Sequence, residues 1–476
     1  MTYPELALLI DGEWIRGGGR ATVPVINPAT EEVLGHLPLA TKADLDRALA
    51  AAQRAYPAWR AMAPHLRGRI LHRAAELLRE RSEELAWLAT VEEGKTLPEA
   101  RVEAGMAAEI FTWYAEEGRR AYGRVLPQRQ PGVRMTVVKE PVGPVAGFAP
   151  WNFPLGNPAR KLGSAIGAGC PCIVKPAEET PASALAIARA LVDAGMPAGI
   201  CNVVFGVPAE VSQHLLGSPI IRGMSFTGSI PIGKLLAKLS AERMIRTTME
   251  LGGHAPVIVF DDVEVDAVLD MAVAAKYRNA GQVCVSPTRF YIQEKIYDRF
   301  VEGFAARAKQ LTVGNGLDAK NRMGPLAHER RLPAVESTIQ DAIAQGARLC
   351  AGGKRIPGKG YFFEPTVLSD VPNSARIMND EPFGPIAVLN PFRTLEEVIE
   401  QANRLPYGLA AYAFTQNAKR VNLLGEQIEA GMIGINSFTI AVPESPFGGV
   451  KESGHGSEEG IEGLDACLVT KFITES

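Results

Sequence analysis

The chain has 476 residues, 46% hydrophobic and 22% charged, with a formal net charge of −3 at pH 7. That length exceeds what one hydrophobic core fills and predicts two or three domains. The near-neutral balance, without a basic tract, gives no reason to expect nucleic acid or an anionic membrane as partner. Six cysteines, at 170, 172, 201, 284, 350 and 467, are too few and too irregular for a disulfide framework. They point to a reducing, cytoplasmic compartment. Cys170 and Cys172 form C-x-C with no second pair or nearby histidine, so they read as core residues and no metal site is expected. The N-terminus carries acids and no basic n-region, unlike a signal peptide. The longest uncharged stretch, 141–159, holds five prolines and three glycines and cannot be a membrane helix.

Residues 8–35 read as short strands with turns at Asp11-Gly12 and 17–19. Thr41 followed by Asp44 predicts a capped helix whose apolar stripe is Leu45, Ala48, Leu49, Ala52, Tyr56 and Trp59. A second helix follows through Leu66–Leu78, Ser82 caps a third, and Pro98 opens a fourth that ends at Gly118. This helical layer shows no chemistry of its own. Residues 119–140 predict a β-hairpin, with arginines interleaved among valines, whose arginines read as a solvated or subunit-facing surface. From Val142 short apolar runs at 145–149, 172–175, 202–205 and 223–226 alternate with helices near 158–168, 182–194, 208–216 and 230–239. That βαβα order is the mark of a parallel sheet that binds ligands at its strand ends. A second α/β set begins at Ala255 and runs to about 435, and the tail 466–473 alternates like a strand.

Five stretches carry candidate chemistry. Cys284, in K-Y-R-N-A-G-Q-V-C-V-S-P-T-R, sits on a Gly-containing connector where a substrate can reach a thiol, although most lone cysteines are small buried hydrophobes. In F-A-P-W-N-F-P, 148–154, two prolines hold Trp151 and Asn152 stiffly, so the Asn152 amide suits an oxyanion donor or a backbone-satisfying loop residue. In I-V-K-P-A-E-E-T-P, Lys175 and Glu178 follow a strand and suit a ribose's hydroxyls or a surface ion pair. F-T-G-S-I-P-I-G, 226–233, runs from a strand through a Gly-Ser turn into a helix, an anion cradle or a plain joint. Its glycines are not spaced G-x-G-x-x-G, and the candidate ribose carboxylate precedes the loop instead of following it. In M-E-L-G-G-H, Glu250 amid apolar neighbours suits a general base or a turn-binding carboxylate.

Together with E-P-F-G-P (381–385) and P-F-G-G-V-K-E-S-G (446–454), the motifs P-W-N-F-P, F-T-G-S, E-L-G-G and G-Q-V-C stand in the order and spacing of one family. Over nearly its whole length the chain resembles the aldehyde dehydrogenase superfamily. The resemblance implies a Rossmann-type cofactor domain (1–118, 141–250 and part of 436–455), an α/β catalytic domain (251–435) and a small β oligomerisation arm (119–140 and 456–476). It implies Cys284 as nucleophile, Glu250 as base and Asn152 as oxyanion partner, together with the Cys284 backbone N–H. It places the adenosine ribose at Lys175 and Glu178, the pyrophosphate at Gly228, Ser229 and Gly233, the nicotinamide end at Leu251, Glu381 and Phe383, and a further cofactor contact at Trp151. The implied chemistry is oxidation of an aldehyde through a thiohemiacetal and a thioester. NAD is preferred over NADP, because Glu178 would repel a 2′-phosphate.

Within the family, Arg160, Arg278 and Ser445 match the positions that hold a distal carboxylate in the succinate-semialdehyde branch. Two arginines left unpaired by a neutral aldehyde would be costly, so an ω-carboxylated short aldehyde is expected: succinic, glutaric or α-ketoglutaric semialdehyde. The opposing reading pairs these arginines with Asp or Glu. Ser286 stands where some relatives carry a second cysteine, and Asn157 and Pro158 fall at variable pocket-entrance positions. A CoA-acylating enzyme, a broad-specificity aldehyde dehydrogenase and a non-catalytic binding protein are the competing classes; Glu250 argues against CoA. A homodimer or homotetramer is expected.

Overall fold

The computed structural model describes residues 1–476. Five strands, Val145–Phe148, Cys172–Lys175, Cys201–Val203, Gly223–Thr227 and Arg246–Glu250, pair in parallel, as short apolar runs separated by helices require. The first three run outward in one direction, and Gly223–Thr227 then returns to the other side of Val145–Phe148. That reversal creates a topological switch point, with its crevice at the carboxyl ends of the two strands. The hairpin Leu8–Ile10/Glu13–Ile15 and the short strand Gly454–His455 close the two edges in antiparallel pairing. Helices Pro64–Glu80, Leu97–Glu117, Gly156–Ala168 and Pro181–Asp193 bury their apolar faces in the same core as this sheet.

A second sheet of seven strands, ordered from Arg348–Ala351 to Met432–Ile435, is parallel except for its first strand. At its centre lie Ile386–Phe392, Pro287–Gln293 and Ala255–Val259. It has its own apolar core. The chain passes from the carboxyl end of the first sheet, at Glu250, to the amino end of the second, at Ala255, in four residues. The two sheets are therefore joined with those ends facing each other.

The predicted hairpin forms from Arg124–Leu126 and Arg134–Pro141, and Leu468–Glu475 adds to it in full antiparallel register from Leu468↔Pro141 to Glu475↔Arg134. The tail strand thus begins two residues later than its alternation predicts. Thr41 and Asp44 form the expected reciprocal capping box. Ser82, expected as a cap, is the first residue of its helix, and Arg81 holds the cap position without a side-chain bond. No helix is long and apolar enough to cross a membrane.

Candidate active site

Every motif of the first half ends at the carboxyl edge of the first sheet. Lys175, Thr227 and Glu250 are the last residues of their strands, and the Asn152 loop leaves Phe148. The switch point separates the Asn152 loop from the Gly228-Ser229 turn. Facing them, Cys284 and the 381–385 loop precede two adjacent strands of the second sheet, paired at Arg289↔Val388.

Close backbone approach fixes this meeting. A Cβ on Gly281, whose φ is +71°, would lie 2.1 Å from the Gly384 carbonyl oxygen. A Cβ on Gly252 would lie 2.4 Å from the Glu381 carboxylate. The glycines of G-Q-V-C and E-L-G-G are thus the points where three loops touch. Asn279 and Ala280, just before the thiol, are both left-handed at φ 53° and 52°, a strain held in place by surrounding contacts.

The Cys284 thiol is half-buried. Burial pushes it up to about 12, and the Arg160 guanidinium is the first charge pulling it back. The Cys284 N–H has no backbone acceptor and is free to face a substrate oxygen. Asn152 is buried. One of its amide N–H groups donates to the Gln282 carbonyl at 3.1 Å, its Oδ1 accepts from Asn157 at 3.3 Å, and its second N–H makes no protein hydrogen bond. Glu250 is 2% exposed, and neither carboxylate oxygen has a hydrogen-bond partner. Burial raises its pKa well above the carboxylate range; the Glu458 carboxylate adds to this, while Lys161 and Arg160 oppose it.

The helical layer that shows no chemistry in its sequence supplies the support for the Asn152 loop. Lys95, just before the helix Leu97–Glu117, donates to the Asn152 carbonyl at 2.9 Å and to Glu103. The other oxygen of Glu103 accepts the N–H groups of Leu155 and Gly156 at 2.8 and 3.1 Å. Asn279, from the cysteine loop, donates to the same Asn152 carbonyl at 3.0 Å. One buried ion pair therefore holds the Asn152 loop and the helix that follows it. Lys161 is likewise buried, between Thr227 and Glu458 at 2.6 Å each. In the sequence only Glu103 and Lys161, charged residues on otherwise apolar helix faces, hint at these pairs.

The residues that the resemblance assigns to the cofactor lie along both sides of the crevice. Lys175 and Glu178 pair at 2.6 Å, and Glu178 also accepts the Gly206 N–H at 3.2 Å. Ser229 is exposed and caps the helix Ile230–Ala241 without a side-chain bond, which leaves first-turn N–H groups open to an anion; Gly228 and Gly233 flank it. Across the crevice, Trp151 meets Phe383 edge-on at 5.6 Å. Glu381 accepts the Gly253 N–H at 3.3 Å, burial raising its pKa to about 8. Leu251 is buried. This donor set, an anion-ready helix end with a ribose-sized carboxylate on one side and an aromatic wall on the other, fits a nicotinamide dinucleotide.

The substrate residues do not behave alike. Arg160 is buried and already paired: its Nε and Nη2 reach Glu459 at 2.9 and 3.3 Å. The expectation that a neutral aldehyde would strand this guanidinium is therefore corrected, because Glu459 satisfies it. Arg278 is exposed, makes no ion pair, and lies over the Phe153 ring at 5.7 Å. It is not the buried group that the desolvation argument needs. Ser445 is half-buried and donates to the Val442 carbonyl at 3.0 Å. Asn157, expected at a pocket entrance, is buried and hydrogen-bonded to Asn152. Ser286 accepts from the buried Lys276 at 2.9 Å, whose ammonium burial pulls down to about 7.

Comparison with known proteins agrees with this geometry. The model of the aldehyde dehydrogenase family matches residues 14–473. The chain is 50% identical to the 4-(hydroxymethyl)benzenesulfonate dehydrogenase of Comamonas testosteroni, over 99% of this chain and 98% of the relative. It is 43% identical to the NADP(+) succinate-semialdehyde dehydrogenase of Escherichia coli (strain K12), over 98% of this chain and 96% of the relative. The crystal structure of succinate-semialdehyde dehydrogenase from Burkholderia pseudomallei superposes with a TM-score of 0.97 at 44% identity, covering 99% of this chain and 98% of that one. The chain belongs to the aldehyde dehydrogenase family. It is an NAD(P)-dependent aldehyde dehydrogenase.

Proposed function

We propose that the enzyme oxidises an aldehyde whose far end carries an acid group, a carboxylate or a sulfonate, to the corresponding acid. Arg278 carries this reading. It is a cation six residues before the thiol, exposed, stacked on an aromatic ring and without a carboxylate of its own. The names of the relatives agree, since benzenesulfonate and succinate semialdehyde each bear an acid group remote from the reacting carbon. Succinic, glutaric and α-ketoglutaric semialdehydes and a formylbenzenesulfonate all belong to this class.

In the reaction Cys284, as its thiolate, adds to the carbonyl carbon, and the oxygen takes the negative charge between the free Asn152 N–H and the Cys284 backbone N–H. NAD(P), when bound, would supply the hydride acceptor. Gly228, Ser229 and Gly233 would hold its pyrophosphate, Lys175 and Glu178 its adenosine ribose, and Trp151, Leu251, Glu381 and Phe383 its nicotinamide end. The acyl group left on Cys284 is a thioester. Glu250, unpartnered and buried, takes the proton of the water that hydrolyses it. A base placed there favours water over CoA as the acceptor. NAD is preferred to NADP because the Glu178 carboxylate repels a 2′-phosphate, and Lys175 at 2.6 Å tempers that repulsion. A homodimer or homotetramer is inferred from the three-stranded sheet, which exposes Val125, Phe472 and Ile473.

The test is NADH formation with the three semialdehydes, 4-formylbenzenesulfonate and benzaldehyde, in wild type and in Arg278→Ala. KM for the acid-bearing aldehydes should rise about tenfold or more in the variant, and far less for benzaldehyde. Equal changes for charged and neutral aldehydes would remove the acid-group reading.

A further inference from the structure

Residue 459 has φ 59° and ψ −175°, a backbone state that glycine alone adopts without strain. The residue there is a glutamate, and it is 0% exposed. Strain of this kind persists only where surrounding contacts over-determine it. Those contacts centre on Arg160. The two oxygens of Glu459 take its Nε and Nη2, Nη1 reaches Asn157 at 3.5 Å, and Phe447 covers the guanidinium 4.4 Å from its ring centre. The Glu459 N–H is tied to the Tyr114 hydroxyl at 2.9 Å, fixing the turn from behind. The forked edge of Arg160 that would otherwise meet a substrate's acid group is filled by the chain's own carboxylate.

We propose that Glu459 is a specificity-determining residue: it occupies Arg160, excludes aldehydes whose acid group would lie deep beside the thiol, and leaves anion recognition to Arg278 at the mouth. This rests on the reading that the substrate carries an acid group. A short semialdehyde would bring its carboxylate against that of Glu459, and like charges in a buried site repel. An aldehyde with its sulfonate or carboxylate across a rigid aromatic spacer carries the charge outward, past Phe153, to Arg278. The substrate class favoured is therefore the acid-bearing aromatic aldehyde over the short aliphatic semialdehyde.

A rival role is visible in the same contacts. Arg160 bonds Asn157, which bonds Asn152, so the pair could merely hold the oxyanion donor in place. Kinetics separate the two. The full-length enzyme, as wild type, Glu459→Gly and Glu459→Gln, is assayed with succinic semialdehyde and 4-formylbenzenesulfonate. In both variants kcat/KM for succinic semialdehyde relative to 4-formylbenzenesulfonate should rise about tenfold or more, through a lower KM for the former. A ratio within about twofold of wild type, with kcat falling alike for both substrates, overturns the proposal and assigns the pair to positioning. Should a variant turn over neither substrate, protection of Cys284 from iodoacetamide by added succinate reads the same site. Protection in the variant and none in wild type supports the proposal, and no protection in either overturns it. Failure of the acid-group reading itself shows separately, in the wild-type background, as an equal response of charged and neutral aldehydes to Arg278→Ala.

Discussion

Two arginines stand near one thiol, and their surroundings give them opposite fates. Arg160, in the helix Gly156–Ala168, is buried where an unpaired guanidinium would be costly, and it is satisfied by Glu459 and Asn157. Arg278, at the rim, keeps its charge in water and needs no partner. Burial decides which of the two cations takes a protein partner and which is left without one. The same contrast separates the site's two halves. Behind Asn152 the loop is tied within the protein, its carbonyl by Lys95 and Asn279 and the turn that follows by Glu103. Where chemistry is expected, the Glu250 carboxylate, the second Asn152 N–H and the Cys284 N–H are left without partners.

The largest expected effect breaks the open half. Glu250→Gln should lower steady-state NADH formation by about 10²–10⁴-fold while leaving a burst of about one NADH per site. Loss of the burst along with the steady state would place Glu250 in the first chemical step instead. In the bound half, Lys95→Met leaves Glu103 as a buried carboxylate without its cation beneath the Asn152 loop. Destabilisation of about 3–5 kcal/mol is expected in denaturant unfolding, with a fall in kcat for every aldehyde tested. A stability within about 0.5 kcal/mol of wild type would contradict the clamp.

Most of this contrast is invisible in the sequence. The open half was legible because its residues lie in short motifs whose glycines and prolines mark loops at strand ends, and because the βαβα alternation says where those ends face. The capping box at Thr41 and the tail strand were legible for the same local reason. The bound half was not. Arg160 and Glu459 are 299 positions apart, and Lys95 and Asn152 are 57 apart. Periodicity tells which face of a helix is buried, but not which distant carboxylate meets it there. The strained turn at Glu459 left no mark either, since a glutamate among S-E-E-G reads as exposed and solvated.

A smaller effect sharpens the comparison at the thiol. Burial raises the Cys284 pKa to about 12, so the thiolate is scarce at neutral pH in the cofactor-free enzyme. A raised pKa means the proton is kept to higher pH, and the reactive form grows as pH rises. Iodoacetamide labelling of Cys284, followed by peptide mass mapping, should accelerate about tenfold per pH unit from 7 to 9. A plateau within that range would show a thiol already ionised.

The direct measurement for the site as a whole is the mass of Glu250→Gln after brief exposure to NAD and 4-formylbenzenesulfonate. The thioester should persist as one acyl group per chain, on the peptide that contains Cys284. An unmodified Cys284 peptide, or an acyl group on another cysteine, in enzyme that has formed its burst of NADH would contradict Cys284 as the nucleophile.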